Sequence, residues 1–279
     1  MAHTYVPLDD FKKFMVDGGT DYGTISDDQL LAILEAASRR VDEYCERSHG
    51  WGSGFGPRIG TNYYDPVCGN LLELDDDLLS ITSVTTYDTV GGNGTTITDV
   101  TDFFKEPYSG PPYRRLRIHE ESSKVWGAAT RGNVVVLVAG YQDVRTVSTT
   151  TVASGLASDA AATTFVTSAS PTIQIGQTLY IGTEHLYVTG LSGTTATVER
   201  GANGSTAAVH ANSSAISVFR YPKGVVNGTR QIAQRTWKTR DAGASGGYGG
   251  GGIPNMDPRD TEWSILNATV GRFCYRSAG

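Results

Sequence analysis

Apolar and polar positions alternate with two clear periods along this chain, and the period changes mark its elements. From Leu30 to Tyr44 the residues Leu30, Ile33, Leu34, Ala37, Val41 and Tyr44 recur at three and four, which predicts one amphipathic helix. Ser26 and Gln29 precede it as an S-x-x-Q capping box, and Asp27 and Asp28 fall in its first turn, where the helix dipole favours negative charge. A shorter helix is expected before it, over Leu8 to Val16. Residues 48–70 are rich in Gly, Pro and aromatics and read as an ordered loop.

The period then falls to two. Leu71 to Leu74, Ile81 to Tyr87, Thr95 to Thr98, Arg114 to His119 and Asn133 to Gly140 read as strands. Gly91-Gly92-Asn93-Gly94 supplies a turn that accepts positive φ, and Pro107, Pro111 and Pro112 mark a loop. Val134 to Val138 is wholly apolar, the pattern of a central strand buried on both faces.

At Arg145 the composition shifts to Thr, Ser, Ala, Val and Gly, with few charges up to residue 219. Strands over Thr163 to Thr167, Gln177 to Ile181, His185 to Leu191, Thr194 to Glu199 and Ala215 to Arg220, with closely spaced turns, predict a small β-sandwich or barrel. After Pro222 the helical period returns through Val225, Val226, Thr229, Ile232, Ala233, Thr236 and Trp237. A loop over residues 241–253 contains GGYGGGG, a flexible coil. Asp257-Pro258 then opens a last helix, with Trp263, Leu266, Val270 and Phe273 on one face. The class is α+β: a connector core at 1–145 and 221–279, made of a long amphipathic helix, C-terminal helices and a β-sheet domain, with an inserted all-β module at 146–220.

Several of these runs carry a resemblance. The Leu-Asp-Asp-Phe-Lys-Lys start at Leu8 is followed by a Leu-Leu-x-x-Leu-Glu-x-Ala-Ser-x-x-Val-Asp-x-Tyr-Cys-x-Arg helix over Leu30 to Arg47, and a Pro-x-x-Val helix with Trp237-Lys238 starts at Pro222. Together they resemble the head–tail connector (adaptor) proteins of tailed bacteriophages, over residues 5–144 and 222–276. The run Ile181-Gly182-Thr183-Glu184-His185-Leu186-Tyr187-Val188-Thr189, with Arg200-Gly201-Ala202-Asn203-Gly204-Ser205-Thr206 and Ala207-Ala208-Val209-His210, resembles a β module that recurs in phage structural proteins. The resemblance implies a homo-oligomeric ring, usually dodecameric, beneath the portal protein at the DNA exit vertex. Such a ring extends the channel and offers a platform to a tail-side neck or terminator protein. It places the chain in the virion, at the head–tail junction, after assembly in the host cytoplasm.

Charge sharpens this expectation. The net charge is −6 and the sequence pI about 5.4, which argues against a nucleic-acid grip built on Lys and Arg. DNA is therefore expected to pass through the ring without specific binding. Asp75, Asp76 and Asp77 are the channel candidates, and they also read as a solvated turn. Lys223, Arg230, Arg235, Lys238 and Arg240 form a basic run without an acid. With Trp237, Trp263, Leu266 and Phe273 it is the candidate contact for the portal or a neighbouring subunit. The last helix has two burial sites open to it: its own subunit, or the favoured groove on a portal or neighbour. Trp51 and Tyr64, with Tyr63, serve either loop packing or a subunit contact.

Catalytic patterns are absent from the sequence. The five histidines stand apart from any metal-ligand spacing, and GxGxxG, GxxxxGK[ST] and GxSxG do not occur. No enzyme activity, cofactor or metal is expected. Cys45, Cys68 and Cys274 show no CxxC, which fits a reducing cytosol better than a disulfide scaffold, with Cys45 read as a buried small hydrophobe. No apolar run approaches the ~20 residues of a membrane span, and the start, Met1 to Asp10, lacks the regions of a signal peptide. The rival reading is a carbohydrate-binding adhesin or capsid decoration protein that uses the Thr- and Ser-rich module. The helices at both ends argue against it.

Overall fold

The computed structural model describes residues 3–19, 22–23, 25–45, 54–157, 159–169, 173–244 and 258–274. Trp51, the Asp257 cap and most of the glycine-rich loop lie outside these residues. The fold is α+β, and it divides into two compact units: residues 1–52, 144–202 and 206–279, and residues 53–143 with 203–205. The helices are thus grouped with the β module, and the sheet stands as its own unit.

In the first unit four helices occur among the described residues: α1 (Leu8–Asp17), α2 (Asp27–Tyr44), α3 (Lys223–Ala244) and α4 (Pro258–Val270). The Ser26 Oγ accepts the Gln29 N–H, as the capping box requires. Leu30, Leu34 and Val41 of α2 are fully buried, and each such side chain contributes about 1.5–3 kcal/mol of burial. On α3 the buried positions are Val225, Gly228, Thr229, Ile232 and Ala233, while Thr236 lies exposed. Two of its glycines set a close helix crossing. A Cβ on Gly224 would meet the Thr269 carbonyl at 2.4 Å, and one on Gly228 would meet Thr269 Oγ1 at 2.7 Å. The Gly-x-x-x-Gly face lets α4 lie directly on the α3 backbone.

The remainder of this unit is a closed six-stranded barrel. Its strands are β7 (Arg145–Ser154), β8 (Thr164–Thr167), β9 (Thr178–Ile181), β10 (Glu184–Ser192), β11 (Thr195–Glu199) and β12 (Ala215–Phe219), in the closed order β10-β11-β8-β7-β12-β9. Closure removes the edges that a small sandwich would leave. Val152, Phe165, Leu179, Ile181, Leu186, Val188, Val198 and Ile216 are among the side chains of its buried core. These side chains fill the barrel interior.

The second unit is an antiparallel sheet of β1 (Arg58–Tyr64), β2 (Leu71–Thr86), β3 (Thr95–Ile97), β4 (Phe103–Glu106), β5 (Tyr113–Ile118) and β6 (Asn133–Ala139). The order is β1-β6-β2-β5-β4, with β3 on β2. Three expectations are corrected here. The loop assigned to 48–70 contains β1, whose Gly60 and polar Asn62 conceal its alternation. The segments at Leu71 and Ile81 form one strand, because Asp75–Asp77 continue it through a register shift between Glu73 and Leu78. The valines of β6 are buried on one face only: Val135 and Leu137 enter the core, while Val134, Val136 and Val138 are half-buried. That is the pattern of an antiparallel sheet with one covered face. Asn203–Ser205 belong to this unit, where Gly204 at φ +77° carries no Cβ; one would sit 2.2 Å from the Ile59 carbonyl.

Candidate functional site: interface residues and buried polar nodes

The C-terminal half of α2 is the first node. Ser38 Oγ donates to the Leu34 carbonyl and accepts the Tyr5 N–H at 3.0 Å. Asp42 is buried, receives the Tyr5 hydroxyl, and pairs with Arg39 Nη1 at 2.9 Å. Arg39 Nη2 also donates to the His3 carbonyl at 3.0 Å. The segment His3–Leu8 thereby runs along α2, and its other side meets the barrel. His3 stacks on Tyr187 at 4.2 Å, Thr4 Oγ1 donates to the Gly176 carbonyl, and the Leu8 N–H donates to Ile175. Tyr5 packs on Tyr221, whose hydroxyl pKa is pushed up to about 12 by burial. Burial, and then the Asp42 charge, hold the Tyr5 hydroxyl well above its ordinary pKa. Both phenols are held in the neutral form, and Tyr5 donates to Asp42.

The second node lies in the barrel. The Glu184 carboxylate accepts Arg200 Nε at 2.6 Å, Arg200 Nη2 at 2.8 Å and the N–H groups of Gly201 and Ala208 at 3.1 Å, and His210 Nε2 stands 2.6 Å away. Burial alone would raise its pKa. The Arg200 bonds, then Ala208, His210 and Gly201, outweigh it and hold the carboxyl at about 2. Every one of these groups falls in the sequence run read as a recurrent phage β module. Their bonds close the segment from Arg200 to His210 on one carboxylate.

The candidate residues fall into three groups. Leu266 and Phe273 are 3% and 7% exposed and pack within their own subunit, with Phe273 against Gly224. Of the two burial sites open to this face, the subunit itself covers Leu266, Val270 and Phe273, and Trp263 is left exposed. Tyr64 is buried in the sheet core and accepts an amide N–H from Asn62, so its reading as a contact residue gives way to packing. Asp77 is 1% exposed and pairs with Arg114 Nε at 2.9 Å, and its carbonyl accepts the Gly140 N–H. It is a strand residue of β2 and not part of a solvated turn. Asp76 is half-buried and Asp75 exposed; burial and then the Asp76 charge raise the Asp75 pKa.

Of the basic run, Lys223 and Lys238 are exposed and Arg235 and Trp237 half-buried. Arg230 is committed within the subunit, 3.6 Å from Asp10 and over the Phe14 ring of α1. Trp263 is 62% exposed and meets Tyr44 edge-on at 4.9 Å, with Arg40 and Glu262 paired beside it. Sequence reading missed a second aromatic surface. On the sheet unit Phe104 and Tyr108 are exposed, with His119 against Phe104 at 3.6 Å. Phe104 follows the buried Phe103, and the alternation along β4 was the available signal. Among the described residues, no group of three or more His, Cys, Asp or Glu is placed to hold a metal ion, and no helix is long and apolar enough to cross a membrane.

No protein-family model and no curated protein matches this chain. Similarity in part is found to chains of solved structures, two of which are as follows. A chain in the neck of an empty GTA particle, computed with C6 symmetry, matches at 18% identity with a TM-score of 0.35, over 49% of this chain. The match spans 65% of that neck chain. A chain in the neck of a native GTA particle, computed with C12 symmetry, matches at 16% identity with a TM-score of 0.31, over 50% of this chain and 68% of its own length.

Proposed function

We propose that this chain is a structural, non-enzymatic subunit of a phage-type neck, which assembles into a ring between a portal and a tail-side partner and lengthens the DNA channel. The observation that carries this reading is the use made of the connector-like run on α2. Ser38 and Asp42 hold the N-terminal segment, Tyr44 meets Trp263, and Cys45 reaches the Val270 carbonyl at the end of α4. The residues that carry the resemblance are therefore the joints of the helical scaffold, where a family signature without catalytic residues belongs. Charge supports a channel role. The sheet unit holds twelve Asp and Glu against seven Lys and Arg, so it carries −5 of the chain's −6. A wall of that sign offers phosphates few cations to release counterions onto. Trp263, Lys223 and Lys238 are the exposed residues proposed for the portal or subunit contact.

Electron-microscopy class averages of the full chain, alone and bound to portal-bearing heads, test this. Closed rings of cyclic symmetry are expected, since a heterologous contact that closes makes a ring. A monomer bound singly to the portal, or tight DNA binding at moderate salt, overturns the reading. Trp263→Ala is expected to leave the melting temperature nearly unchanged while weakening ring formation or portal attachment at least tenfold.

A further inference from the structure

Two of the three cysteines, 229 positions apart in the chain, share one acceptor. The Val270 carbonyl lies 3.5 Å from Cys274 Sγ and 3.9 Å from Cys45 Sγ. Cys45 is the residue that ends α2 and is buried; Cys274 follows the short 3-10 turn Gly271–Phe273 after α4 and is half-buried. Val270 is the last residue of α4 and the residue from which the 3-10 turn Gly271–Phe273 starts, so its carbonyl lies at a helix end, open to further donors. The two thiols cap it from two directions. Sulfurs that both touch one oxygen lie no farther apart than the sum of those two contacts, which places both thiols in one small neighbourhood at the end of α4.

We propose that Cys45 and Cys274 are an oxidisable pair, which a small-molecule disulfide such as oxidised glutathione converts to a disulfide that fastens the end of α4 to the end of α2. The half-buried Cys274 is the entry point. Its thiolate attacks one sulfur of the oxidant and releases one thiol; the Cys45 thiolate then attacks the Cys274 sulfur and releases the second. Two protein thiols are oxidised and one small disulfide is reduced to two thiols, with each cysteine proton passing to a departing thiolate. The capping role explains why both sulfurs face one point in the reduced protein, and oxidation replaces two weak S–H contacts with a covalent link. Cys68 is exposed in the other unit and takes no part.

The test uses full-length Cys68→Ser protein incubated folded with oxidised glutathione, quenched in acid, denatured and labelled with a maleimide. No labelled thiol is expected, with a monomer mass lower by two hydrogens, a nonreduced peptide joining Cys45 to Cys274, and a melting temperature several degrees above the reduced form. The unsubstituted chain is expected to fall from three labelled thiols to one. Two labelled thiols in Cys68→Ser, a lasting glutathione adduct on Cys274 with Cys45 still labelled, or disulfides found only in dimers would overturn the proposal. So would equally fast loss of the Cys45 thiol in Cys68→Ser/Cys274→Ser.

Discussion

At the scale of single residues, two of the buried carboxylates, Glu184 and Asp77, have consequences that can be measured. Glu184 has a folded pKa of about 2 against an ordinary value of 4.5. A depressed carboxyl stabilises the fold above its unfolded pKa and loses that contribution as pH falls through the folded value. Stability of the helix-and-barrel unit should therefore drop between about pH 4.5 and pH 2, and urea titrations across that range should show a flatter profile for Glu184→Gln. At pH 7 the substitution should cost about 3 kcal/mol, because Arg200 is left buried beside a neutral amide. Asp77→Ala should likewise destabilise the sheet unit, whereas Asp75→Ala, on an exposed position, should change its melting temperature little. Three adjacent aspartates looked alike in the sequence. The register shift on β2 sends them to an exposed, a half-buried and a buried site. Pattern alone does not carry that information, since a bulge shifts which side of a strand a residue faces.

At the scale of elements, the helices were the legible part. The capping box and the three-four spacing of α2 correspond to its observed start and its buried stripe. What the spacing concealed was the destination of α4. A row of Trp263, Leu266, Val270 and Phe273 specifies a face that must be covered but not by what. The answer lay on α3, in glycines that carry no hydrophobic signal: Gly224 and Gly228 leave room for Thr269, Val270 and Phe273. Gly228→Leu should force α4 away and cost about 2–3 kcal/mol, as overpacking does. Limited proteolysis should then cut within the C-terminal helix before any other element. Strands β1 and β4 escaped sequence reading for the opposite reason. β4 is short and charge-interrupted, and β1 is glycine-interrupted and pairs with β6, far along the chain.

At the scale of the whole molecule, the grouping of helices with barrel changes what a deletion should do. Replacing 146–219 by a short Gly-Ser linker removes Tyr187, Gly176 and Ile175, the partners of His3, Thr4 and Leu8. The helical circular-dichroism signal should fall well below that of the intact chain, while a fragment spanning 53–143 should keep a cooperative β-sheet transition of its own. Retention of full helicity after the deletion would mean that the α2 contacts hold the N-terminal segment unaided. The composition shift at Arg145 made the barrel visible in the sequence, but a border in composition says nothing about which neighbour a module packs against. The same N-terminal segment also sets a schedule for biosynthesis. The Thr4 N–H donates to the Tyr187 hydroxyl across 183 positions. At ribosomal speeds of about 5–20 residues per second, residues that emerge first wait on the order of ten seconds or more for their partner. Throughout that interval the apolar faces of α1 and α2 are on the nascent chain without their cover, the period in which a chaperone or a premature neighbour can reach them.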